Sequence, residues 1–61
     1  MKTYKLHVSM PIAKFHVNVV ADSFSLKDDR LNFYRKNGSN TNLQASYPSQ
    51  YTIIESIKEN K

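Results

Sequence analysis

Cysteine is absent from these 61 residues, which rules out disulfides and thiolate-bound zinc. Long apolar runs are absent as well, and nothing approaches the roughly 20 residues of a membrane-spanning helix. Met1-Lys2-Thr3-Tyr4-Lys5 leads into alternating residues rather than the continuous apolar stretch of a signal peptide, so a cytoplasmic, reducing compartment is expected. There is no repeat, linker or low-complexity segment. Carboxylates are few: Asp22, the Asp28-Asp29 pair, Glu55 and Glu59. Of nucleophiles, only Ser9 falls beside a histidine, with no orienting acid. A chain this short has little room for a substrate pocket of roughly 300 Å³. No catalysis and no cofactor are expected.

What is present is alternation. Phe15, Val17 and Val19, then Leu31 and Phe33, then Leu43, Ala45 and Tyr47, then Tyr51 and Ile53 keep to every second position, after an opening set of Tyr4, Leu6 and Val8. A period of two places such residues on one face of successive β-strands. The expected fold is all-β: a five-stranded antiparallel meander spanning 1–61 as one domain, strongly curved or closed into a small barrel, with a frayed tail at 58–61. A domain near 60 residues buries only about 60% of the surface that its unfolded chain exposes. Small domains compensate with disulfides, a metal or self-association. With disulfides excluded, completion by homodimerisation is expected.

Several turns are legible. Proline at position 11 stops the first alternation. A turn over Met10 to Ala13 sets Val8 opposite Phe15, Leu6 opposite Val17 and Tyr4 opposite Val19, a register that a slip of one residue would invert. Apolar parity then switches from odd to even at Phe24 and Leu26, the mark of a β-bulge near Asp22-Ser23. Lys27-Asp28-Asp29-Arg30 reads as a hairpin loop setting Leu26 near Leu31 and Phe24 near Phe33. Residues 37–42 form a polar loop, and Pro48-Ser49-Gln50 a short reversal. Over 51–57 the spacing suits a strand or a helical face, and the β-branched Thr52-Ile53-Ile54 favours the strand.

The first hairpin also sets His7 opposite His16 on its outer face, close enough to share a metal or to repel when protonated. A metal site normally has three or four ligands, and no third is apparent. Val20, Tyr34 and Ile54 are large apolar residues at outward positions of three strands. Together they form a candidate dimer or partner surface, with Arg35, Lys36, His7 and His16 as polar members. A net charge of +4, from nine Lys plus Arg against five Asp plus Glu, permits attraction to nucleic acid or to an acidic protein. Tyrosines 34, 47 and 51 with Phe33, Arg35 and Lys36 supply the aromatic and basic mix of single-stranded nucleic-acid binders. The single Gly38 cannot supply the glycine-and-aromatic motif of the cold-shock family.

The runs Val19-Val20-Ala21-Asp22-Ser23-Phe24, Leu31-Asn32-Phe33-Tyr34, Leu43-Gln44-Ala45-Ser46-Tyr47-Pro48 and Ile53-Ile54-Glu55, with Asp29 between the first two, resemble small β-meander proteins of bacteriophages and their hosts. The likeness covers about residues 15–55 and falls on core and turn positions, so no functional residue transfers from it. It implies a non-enzymatic, phage-encoded inhibitor that binds and blocks a bacterial host protein. Some proteins of this form are anti-defence factors, including inhibitors of Thoeris-type or Hachiman-type immunity. The alternatives are a single-stranded nucleic-acid binder and a structural or assembly subunit.

Overall fold

A computed structural model describes residues 1–60. The chain is all-β, with β1 at Lys2–Ser9, β2 at Lys14–Ala21, β3 at Ser23–Lys27, β4 at Arg30–Asn37, β5 at Asn40–Pro48 and β6 at Thr52–Glu59. A single 3-10 turn, Ser49–Tyr51, separates β5 from β6. The strands form two antiparallel three-stranded sheets, ordered β2-β1-β6 and β3-β4-β5.

The first hairpin has the register that its alternation dictates: Tyr4 faces Val19, Leu6 faces Val17, His7 faces His16 and Val8 faces Phe15. Its four-residue loop is closed by reciprocal backbone hydrogen bonds between Met10 and Ala13. In the second hairpin, Phe24 faces Phe33 and Leu26 faces Leu31. Asp28 and Asp29 form its tip with φ of 52° and 59°. Positive φ at both central residues is the two-residue turn whose twist matches the flanking strands, and Asp tolerates it better than most residues. The polar loop over 37–42 is shorter than its composition suggests, because Asn37 already pairs with Asn40. Gly38, at φ +65°, takes the left-handed position this tight turn requires.

Six strands form instead of five because Asp22 divides the expected long second strand. Rather than a bulge within one sheet, Asp22 is a bend at which the chain leaves one sheet and enters the other. Its N–H donates to the Tyr34 carbonyl at 2.8 Å, and its carboxylate accepts from the Lys36 N–H at 2.7 Å. Both bonds tie the bend to β4 beyond the end of β3. The meander also fails at its end: Pro48 and the 3-10 turn carry the chain back across, so β6 pairs with β1 rather than with β5. The result is two open sheets in place of a barrel or a single curved sheet. The segment 52–59 is a strand throughout, and Lys58 and Glu59 pair with Thr3 and Lys2 instead of fraying. Asn60 adds a backbone bond to the Met1 carbonyl, while position 61 lies outside the described residues.

Two irregularities reassign side chains to faces. Lys5 faces Ser56 while Leu6 faces Ile54, leaving Glu55 as an extra residue in β6. Phe33 faces Ala45 while Tyr34 faces Leu43, leaving Gln44 extra in β5. Such bulges invert the parity of everything beyond them. Ile54 thus packs against the core, whereas Ile53 and Leu43 turn outward and are 64% and 58% exposed.

The core between the sheets is Tyr4, Leu6, Val19, Ala21 and Phe33, with Val17, Leu31, Ala45, Tyr47 and Ile54 packed around it. Tyr4 and Phe33 rings lie 5.1 Å apart, and Phe24 meets Tyr4 edge-on at 5.5 Å. This core is small and incompletely covered. The Cα radius of gyration is 11.8 Å, against about 10.5 Å for a compact domain of this length. Accessible surface is 4458 Å², against about 4,100 Å² for a compact monomer of this mass.

Candidate functional site

The deficit in packing is localised. Phe24 and Leu26 occupy the inward face of β3, opposite the core residues Phe33 and Leu31, and Ile57 occupies the inward face of β6, opposite Tyr4. All three nonetheless remain solvent-exposed, Leu26 at 66%, Ile57 at 51% and Phe24 at 41%. β3 and β6 are each the outermost strand of their sheet. Phe24 meets the Tyr4 ring edge-on and Ile57 pairs with Tyr4, so the exposed apolar side chains of β3 and β6 form a rim around Tyr4. An inward face that stays wet, next to unpaired strand edges, is apolar surface that folded chains ordinarily cover.

The sequence-derived surface of Val20, Tyr34 and Ile54 is not assembled as expected. Val20 lies outward on β2 opposite Thr3 and is 38% exposed. Tyr34 lies on the other sheet, half-buried between Ser23 and Leu43. Ile54 faces the core and leaves the set altogether, because the bulge at Glu55 turns it inward. Phe33 is fully buried, so it is withdrawn from any base-stacking surface. Arg35 and Lys36 instead line an open depression of about 340 Å³ with Met1, Asn37, Asn42 and Gln44. That volume is larger than a chain this short suggests, and its lining is cationic and amide-bearing.

Asp22 sits beside this depression. One carboxylate oxygen accepts from the Lys36 amide, and the other lies 3.6 Å from the N-terminal ammonium. The Lys36 hydrogen bond holds its carboxyl below the ordinary value; desolvation opposes this, and the N-terminal charge and Arg35 assist. A folded value below the unfolded one means a contribution complete at neutral pH and lost as acidification passes through the depressed value. Thermal melts from pH 7 to pH 2 should show Asp22→Asn less stable than wild type at neutrality, with the difference narrowing as acidification passes below the ordinary aspartate value of about 3.9. An equal difference at both ends would show that the carboxylate charge contributes nothing.

His7 and His16 do come together as their register dictates, with ring centroids 4.4 Å apart and planes tilted by 36°. Strict parity counting misses Glu55 beside them, because without the bulge it keeps Glu55 on the opposite face. As the extra residue of β6 it reaches His16, with Nε2 to Oε1 at 3.5 Å. One ligand atom from each of His7, His16 and Glu55 lies within 4.8 Å of the others. His7 is half-buried and the other two are exposed.

No helix among the described residues is long and apolar enough to cross a membrane. No known protein family, curated protein or solved structure matches the chain.

Proposed function

We propose that this chain is a non-enzymatic binding protein that works as a homodimer and blocks a bacterial host protein, as a phage-encoded inhibitor does. The observation behind the dimer is the apolar rim of Phe24, Leu26 and Ile57, exposed on the inward faces of two edge strands. A second copy related by a two-fold axis would cover each rim with the other and pair strand edges that otherwise invite unspecific association. The inhibitory role rests on the resemblance of residues 15–55 to small phage β-meander proteins, and a cytoplasmic location in the host follows from it.

Leu26→Asp tests the interface. Burying a leucine contributes about 2 kcal/mol, and a two-fold interface contains it twice, so the dimer dissociation constant should rise roughly a thousandfold. Sedimentation of the variant, with its fold checked by circular dichroism, reads this out; an unchanged dimer would move the interface elsewhere. For the inhibitory role, the protein is immobilised in bacterial lysate with and without nuclease. Specific capture of one host protein that survives nuclease supports the reading. Capture that disappears with nuclease and high salt transfers it to single-stranded nucleic acid. Long self-assembly without any target points to a structural subunit.

A further inference from the structure

We propose that His7, His16 and Glu55 form a zinc-binding site on the outer face of the β2-β1-β6 sheet. Each strand of that sheet supplies one ligand: His7 from β1, His16 from β2 and Glu55 from β6. The hairpin register sets the two imidazoles side by side, and the β6 bulge brings the carboxylate onto their face.

The geometry is close to what the ion needs. Zinc binds histidine nitrogen at about 2.0–2.1 Å and carboxylate oxygen at about 2.0–2.2 Å, so ligand atoms in a tetrahedral shell lie roughly 3.3 Å apart. His16 Nε2 and Glu55 Oε1 already stand 3.5 Å apart, and the whole triad spans no more than 4.8 Å. Side-chain rotations that shift ligand atoms by up to about 1.5 Å close the remainder, without moving the backbone. Two imidazoles and one carboxylate suit zinc, copper or nickel far better than magnesium or calcium, which prefer all-oxygen shells. Zinc accepts such a three-ligand set with water in the fourth position.

The site would also answer the weakness of the fold. β2 and β6 flank β1 and share no backbone ladder, so an ion held by His16 and Glu55 links the two edges of the sheet directly. A ligand that binds only the folded chain stabilises it in proportion to the logarithm of its concentration over Kd. The inference stands whether or not the chain dimerises.

Calorimetric titration of the full chain with zinc, after treatment with a chelator, tests it. One zinc should bind per chain with Kd on the order of 10 µM or tighter. A hundredfold excess over Kd should raise Tm by roughly 10 °C or more, reversibly with EDTA. His7→Asn, His16→Asn and Glu55→Gln should each weaken binding at least about tenfold, because losing a ligand costs no less than the roughly 10–100-fold loss on removing a group that merely orients one. Since His16 and Glu55 are exposed, their variants should melt like wild type in EDTA; they carry the test if His7→Asn fails to fold. Binding no tighter than about 1 mM, equal affinity in wild type and variants, or half a zinc per chain would each overturn the intrachain site.

Discussion

Phe33→Ala should leave the chain without a cooperative thermal transition, or lower Tm by about 15 °C or more. Phe33 is wholly buried, and its ring lies 5.1 Å from Tyr4 and 5.9 Å from Phe24. It is the bulkiest residue that the β3-β4-β5 sheet contributes to the core, and Tyr4 is its counterpart on the other sheet. Truncating a buried phenylalanine to alanine costs about 3–5 kcal/mol. A chain of 61 residues has roughly 3–9 kcal/mol of stability in total. With so few buried residues, neighbouring side chains have little capacity to refill the void. A variant melting within about 5 °C of wild type would show that the two sheets do not pack through this residue.

The second large effect separates neighbours. Ile54→Asp should destabilise the fold by roughly 3 kcal/mol or more, because Ile54 packs against the core opposite Leu6 and a carboxylate there would lose its water. Ile53→Asp should change stability by no more than about 0.5 kcal/mol, since Ile53 is 64% exposed beside His7 on the outer face. Chemical denaturation of both variants measures the contrast. Simple alternation in β6 predicts the reverse order, so the pair tests the bulge at Glu55 directly. Equal effects would mean that β6 does not hold one register.

That bulge also explains where sequence reading succeeds and fails here. Strict alternation over Tyr4–Val8 and Phe15–Val19 sets one hairpin register without ambiguity, and the structure follows it residue for residue. The Asp28-Asp29 tip likewise determines the pairing of Phe24 with Phe33. Parity arguments break wherever one residue is inserted. In β6 the inward residues are Ile54 and Ile57, three apart, and that spacing is what makes the segment look helical as well as extended. In a strand the same spacing means an extra residue between them, here Glu55. Reading it so would have moved Ile54 into the core and placed Glu55 beside the histidines. The division at Asp22 is harder to see, because the acceptor role of its carboxylate depends on Lys36, fourteen positions away. The apolar rim is invisible to pattern alone: Phe24 and Leu26 alternate like core residues, and only the arrangement of the sheets leaves them wet.

If a second copy completes this core along β3 and β6, as proposed above, light scattering of the purified full chain across a dilution series should give a mass of two chains, about 14 kDa from two copies of 7.1 kDa, persisting to low micromolar concentration. A single-chain mass at every concentration would contradict it, leaving Phe24, Leu26 and Ile57 exposed in the free protein.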